Sequence, residues 1–354
     1  MRTTPCILSA DDAPARSACA AALRAGKLIG LPTETVYGLA ADADNAAAVA
    51  AIFSAKGRPA DHPLIVHVAA FDGGMGGVAH YASAVPAFAH QLMAAFWPGP
   101  LTLILPRREG VGAVAAAGQN SIGLRCPAHP AAQALLSELR KPVAGVPVVW
   151  GLAAPSANRF GRVSPTTAAH VQSEFQDVLG AELKVLDGGP CQVGIESTIV
   201  DCTRGVPVLL RPGGITSAQV EAACGRPLVA PQTLEAQGQQ APRASGTLAS
   251  HYAPTAQVRL MDGAALQKAL DLLAGDASAA LTPRIAVYAR TTLKTSSPLV
   301  ALRRMPGSAE VTAHELFSVL RELDALRVQL IWVETPPADL AWDGVRDRLQ
   351  RAAA

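Results

Sequence analysis

Leu31-Pro-Thr-Glu-Thr-Val-Tyr-Gly-Leu39 and Lys56-Gly-Arg-Pro-Ala-Asp-His-Pro-Leu-Ile-Val-His67 lie one helix-length apart and decide the fold class. The first leaves a strand and enters a turn with two threonines. The second leaves a helix through a basic turn and ends as an apolar strand. Residues 44–56 between them have helical periodicity, with Asp44 as expected N-cap and Gly57 past the end. Strand, turn, helix, turn, strand is the grammar of an α/β sheet. Its loops gather hydroxyls, cations and backbone N–H groups, which suits a small anionic ligand such as phosphate.

Further along, helices are expected at residues 14–24, 86–95, 130–139 and 165–173. Strands are expected at 27–31, 63–68, 101–105, 122–125, 146–153, 184–186, 197–201 and 206–210. The mixture lacks a strict βαβ rhythm, so the expected architecture is α/β with an open twisted mixed sheet rather than a TIM barrel. Residues 227–250 are rich in Gln, Ala, Pro, Gly and Ser and read as a linker. Beyond it, strands at 258–261, 285–289 and 329–334 alternate with helices at 264–273, 313–326 and 340–351. That predicts a small parallel-sheet α/β domain. No G-x-G-x-x-G or G-x-x-x-x-G-K-[ST] opens any of these helices. The domain expectation is therefore 7–215 catalytic, 216–254 linker or lid, and 255–354 a C-terminal α/β domain.

Bulk properties narrow the function. The 354 residues carry 30 Lys and Arg against 28 Asp and Glu, net +2. A dedicated nucleic-acid binder carries a stronger basic excess, which leaves only weak RNA contact as an expectation. Six scattered cysteines form no C-x-x-C pair, which argues against zinc and for reduced thiols in the cytoplasm. The N-terminal Met1-Arg-Thr-Thr-Pro5 has no signal-peptide core. The most apolar run, 143–155, is broken by Gly145, Pro147 and Gly151, and falls short of the roughly 20 residues that span a bilayer. No membrane role is expected.

Each polar cluster has two readings. Thr33 and Thr35 suit a ligand loop at a strand's C-terminal end or ordinary turn capping. Lys56 and Arg58 suit a phosphate clamp or a helix-dipole pair. His67 reads as a structural strand histidine or a ligand contact. Arg125 ends a strand and needs an anion, either a structural carboxylate or a ligand carboxylate. Ser156 and Asn158 suit a polar turn, and Ser164 an N-cap. Glu196-Ser197-Thr198 and Arg211-Pro-Gly-Gly214 add hydroxyls and another cation at strand ends. Together they outline a shared cleft. No G-x-S-x-G elbow and no Cys/His pair marks a nucleophile. The inventory favours catalysis by positioning and electrostatics, and no single catalytic residue is assigned.

In order, Pro32-Thr-Glu-Thr-Val-Tyr-Gly-Leu39, Lys56-Gly-Arg-Pro59, Pro63-Leu-Ile-Val-His67, Trp97-Pro-Gly-Pro-Leu-Thr102, Gly123-Leu-Arg125, Ala154-Pro-Ser-Ala-Asn158, Glu196-Ser-Thr-Ile-Val-Asp201 and Leu210-Arg-Pro-Gly213 resemble the YrdC-like family, the L-threonylcarbamoyladenylate synthases. His251-Tyr-Ala-Pro254 and the C-terminal segment resemble its long two-domain form. The resemblance implies an open α/β sheet with a large concave cavity and a Rossmann-like C-terminal domain. It implies that L-threonine, bicarbonate and ATP, with Mg2+ accompanying the nucleotide and no tightly bound cofactor, give threonylcarbamoyl-AMP and pyrophosphate. The product would pass to downstream tRNA-modification proteins that form threonylcarbamoyladenosine beside the anticodon. Carried over by motif, Thr35, His67, Arg125, Ala154 and Ser197 would surround threonine, with Arg125 on its carboxylate. Lys56, Arg58, His62, Ser121, Ser156, Ser164, Arg211 and Tyr252 would surround ATP. No protein-held metal is implied. His62 stands where the family usually has Asn, and residues 243–251 are less basic than usual. Two other readings are a non-catalytic RNA-binding module and a carbamoyl-transfer domain of the hydrogenase-maturation type. The second normally carries cysteine repeats that this chain lacks.

Overall fold

The computed structural model describes residues 4–70, 75–236, 238, 240–273 and 283–354. Most of the N-terminal Met1-Arg-Thr-Thr-Pro5 stretch lies outside them. The chain divides into two compact units, residues 1–160 with 164–247, and 161–163 with 248–354.

The first unit is built on ten strands: β1 (Cys6–Ser9), β2 (Ile29–Leu31), β3 (Gly38–Asp42), β4 (Ile65–His67), β5 (Leu101–Pro106), β6 (Ser121–Arg125), β7 (Leu152–Ala153), β8 (Lys184–Asp187), β9 (Thr198–Asp201) and β10 (Val208–Arg211). They form one mixed sheet in the order β1-β8-β2-β3-β7-β4-β6-β5-β9-β10. The central strands are buried along nearly their whole length, so they read as continuous apolar runs rather than alternating ones. Two apolar clusters pack against the sheet. One gathers Val49, Ile52, Phe53, Val66, Tyr81, Leu103 and Leu124; the other gathers Leu23, Ile29, Leu135, Leu139 and Leu152.

The helix Ala46–Lys56 shows the local logic. Asn45, not Asp44, is its N-cap and accepts from Ala48 N at 3.1 Å. Asp44 instead accepts from Gly112 N and the Tyr81 hydroxyl and pairs with His80. Gly57 ends the helix at φ 63°, a left-handed turn that glycine adopts at no steric cost. This turn delivers Lys56 and Arg58 to the sheet.

The expected strand over 146–153 shortens to Leu152–Ala153, and β1, β3 and the helix Met75–Tyr81 are additional. The stretch from 216 onward is not bare linker. It opens with the helix Ser217–Cys224, whose Thr216 and Gln219 form a capping box, and a short helix follows at Pro231–Glu235. Residues up to 247 group with the first unit.

The second unit is a four-stranded, all-parallel sheet: β11 (Gln257–Met261), β12 (Ile285–Ala289), β13 (Val300–Arg304) and β14 (Leu330–Glu334), ordered β11-β14-β12-β13. The helices Gly263–Leu273, Ala309–Ala325 and Asp343–Ala352 complete it. Three of its strands match the expectation; β13 is an edge strand ending in Arg303 and Arg304 that hydrophobic pattern alone passes over.

Candidate functional site

β6 lies between β4 and β5. The register sets His67 of β4 and Thr102 of β5 directly opposite Arg125. Residues directly opposite share a face, so histidine, arginine and threonine form a row across three strands. Ser197, just before β9, extends it through a 2.8 Å bond between its hydroxyl and that of Thr102.

The guanidinium of Arg125 is held on three sides. Nη1 donates to Thr35 Oγ1 at 2.8 Å, Nη2 to Glu34 Oε1 at 2.6 Å, and Nε to Gly99 O at 3.3 Å. The question of its anion thus has an answer inside the chain: Glu34, which also accepts from Ala128 N at 3.0 Å. Both members are buried, at 4% and 3% exposure. Thr33 plays the turn-capping part, accepting from Thr35 N and Val36 N and donating to Val36 O.

His67 is buried, with Nδ1 lacking a hydrogen-bond partner. Burial first, and the Arg125 guanidinium second, push its pKa down to about 3. The ring is neutral at physiological pH. An unfolded chain, with a histidine at 6.5, binds a proton below that value while the folded one does not. His67 therefore lowers stability progressively as pH falls from 6.5 towards 3. We predict that His67→Gln flattens the pH dependence of thermal unfolding between about pH 6.5 and 5. An unchanged slope would show that the ring is protonated in the fold.

A second cluster carries the cations. Buried Lys56 donates to Ser156 O at 2.6 Å and to Asn158 O. Burial, then the charge of Arg58, hold its pKa well below the lysine range. Arg211 donates through Nε and Nη2 to Ser197 O and through Nη1 to Ser245 O, at 2.8–3.1 Å. Arg58 donates to Pro63 O at 3.0 Å and reaches Ser245 Oγ at 3.5 Å. Ser245 thus bridges both guanidinium groups. Ala244 packs on Ile65, Ile104 and Ile199, and Arg243 pairs with Asp61 at 3.2 Å. The end of the expected linker is a strap seated on these cations.

Thr35, His67, Arg125 and Ser197 meet in the row, with Ala154 following β7, which pairs with β4. Lys56, Arg58, Ser156 and Arg211 belong to the cation cluster, and Ser121 lines a small pocket with Gly123, Arg243 and Ser245. His62 packs its ring on Phe160 at 5.5 Å. Ser164 is bonded to Glu196. Tyr252 belongs to the second unit, where it is buried and its ring stacks on Phe317 at 5.4 Å. Glu34, Thr102 and Ser245 were not singled out from sequence. The first two sit inside quoted motifs, but the partners that give them meaning are 91 and 95 residues away.

Gly213 lets the chain after Arg211 pass close against the backbone of residues 196–198. A Cβ there would lie 2.4 Å from Thr198 N and 2.7 Å from Glu196 O, both backbone atoms that cannot swing aside. Gly213→Ala is expected to cost about 1–3 kcal/mol and to loosen Arg211 from Ser197. Thermal unfolding measures it; a melting temperature equal to that of the unsubstituted protein would refute it.

No group of three His, Cys, Asp or Glu residues able to hold a metal occurs among the described residues. The groups bonded to Lys56, Arg58 and Arg211 are backbone carbonyls and the hydroxyls of Ser197 and Ser245. Such a set does not fit a protein-held Mg2+.

Known proteins resemble this chain over both units. A family model for Sua5, YciO and YrdC, described as "Telomere recombination", matches residues 21–213. A second, "Threonylcarbamoyl-AMP synthase, C-terminal domain", matches 215–354. The threonylcarbamoyl-AMP synthase of Bacillus subtilis is 37% identical, covering 98% of this chain and 94% of its own. That of Pyrococcus abyssi is 41% identical over 68% of this chain and 66% of its own. The solved structure of P. abyssi Sua5 complexed with L-threonine matches with TM-score 0.80 and 34% identity, covering 99% of this chain and 98% of that one.

Proposed function

Since the chain belongs to the Sua5, YciO and YrdC family, we propose that it makes threonylcarbamoyl-AMP from L-threonine, bicarbonate and ATP. The threonine amine attacks the carbon of bicarbonate, and water leaves. An oxygen of the resulting carbamate attacks the α-phosphorus of ATP, and the bond to the β-phosphate oxygen breaks to release pyrophosphate. The product supplies tRNA threonylcarbamoyladenosine, made beside the anticodon; a cytoplasmic location and hand-over to tRNA-modification proteins fit that role.

The full-length likeness to the B. subtilis synthase carries this reading best. The proposed division of work follows the two clusters. Arg125, with Thr35, His67, Ala154 and Ser197, takes threonine, the guanidinium binding its carboxylate. The neutral His67 ring neither repels nor protonates the incoming amine. Lys56, Arg58 and Arg211, with Ser121, Ser156 and Ser164, take ATP and stabilise charge as pyrophosphate leaves. The strap at 243–247 covers the cations and excludes water from the labile adenylate.

Pyrophosphate release tests this. Release should require threonine, bicarbonate and ATP together. Release without threonine would indicate simple ATP hydrolysis and contradict the assignment.

A further inference from the structure

We propose that Glu34 is a positioning residue that sets the Arg125 guanidinium for the substrate carboxylate, an inference that rests on the function proposed above. Glu34 is fixed at both ends. Its backbone carbonyl accepts from Val193 N at 2.7 Å, and its carboxylate accepts from Arg125 Nη2 and Ala128 N on different oxygens. One side chain thus ties the 33–36 turn, the end of β6 and the segment before the helix Pro130–Leu139.

The hydrogen-bond count gives the reason. A guanidinium has five N–H groups. Gly99 O takes the Nε proton, Thr35 Oγ1 one on Nη1 and Glu34 Oε1 one on Nη2. One N–H then remains on each terminal nitrogen, the number a carboxylate takes in a bidentate pair. Bonds to Gly99 on one segment and to both Glu34 and Thr35 on another leave the planar group no freedom to turn. Glu34 also balances the buried charge of Arg125, so the row of His67, Arg125 and Thr102 does not hold an uncompensated cation beside a neutral histidine.

Glu34→Gln separates positioning from bulk. The amide keeps the shape but offers one acceptor oxygen, which can serve Arg125 or Ala128 and not both. It also turns an NH2 group towards donors. A misplaced anchor should raise the KM for threonine roughly 10- to 100-fold, while the KM for ATP stays within about twofold. Glu34→Asp, which keeps the charge on a shorter arm, should fall between the two and serves if the Gln variant does not fold. The double variant Glu34→Gln/Arg125→Lys should be no worse for threonine than Arg125→Lys alone, because Glu34 acts through Arg125.

A lower threonine KM in Glu34→Gln would overturn the proposal, since Glu34 would then compete with substrate. Equal rises in both KM values with a lowered melting temperature, or additive effects in the double variant, would likewise reduce Glu34 to a structural residue. Unsubstituted protein that releases no pyrophosphate with threonine would instead remove the proposed function itself.

Discussion

Arg125→Ala is expected to lose threonine binding by roughly 30- to 150-fold while ATP binding changes little, because a bidentate charge-assisted contact is worth about 2–3 kcal/mol. The fold should weaken as well. The substitution leaves the Glu34 carboxylate buried with only Ala128 N as partner, and breaking a buried pair from one side costs about 3–5 kcal/mol. That loss is large against typical stabilities of about 5–15 kcal/mol but does not exceed them. Arg125→Lys resolves the two effects: it keeps the charge facing Glu34 and loses the planar fork. It should recover much of the stability and little of the threonine affinity. Calorimetry on folded protein checks both, and unchanged threonine affinity in Arg125→Ala would remove Arg125 from the subsite.

Arg58→Ala should slow adenylation by about 100- to 1,000-fold, the usual cost of deleting one donor that meets developing transition-state charge. The structure predicts a second effect. Arg58 is one of two cations bonded to Ser245, so its loss should also release part of the strap. Removing its charge would let the Lys56 pKa rise, since Arg58 is a cause of its depression after burial. Lys56 would then hold its proton to higher pH, and the alkaline limb of activity should move upward. A well-folded Arg58→Ala protein with full pyrophosphate release would exclude Arg58 from the chemistry.

Much of this was legible in the sequence, residue type by residue type. The Gly57 turn, the strand ending in His67 and the anion demand of Arg125 follow from local pattern. Which strands become neighbours does not. His67 meets Arg125 and Arg125 meets Thr102 only through a sheet order in which β6 lies between β4 and β5, and periodicity carries no information on that order. The role of Glu34 is hidden for the same reason, its partner being supplied by another strand. Thr216 and Gln219 did carry a readable capping signature, but the Gln-, Ala- and Pro-rich composition that follows drew the whole stretch towards linker. Compositional bias marks weak periodicity; it does not forbid a strap from docking through Arg243, Ala244 and Ser245.

The most direct test of the central claim is mass spectrometry of the product formed from ATP, L-threonine and isotopically labelled bicarbonate. The account predicts an adenylate that contains threonine and the bicarbonate carbon, formed together with pyrophosphate. Threonyl-AMP without the labelled carbon, or AMP and pyrophosphate with no threonine adduct when the reaction is quenched early, would contradict it.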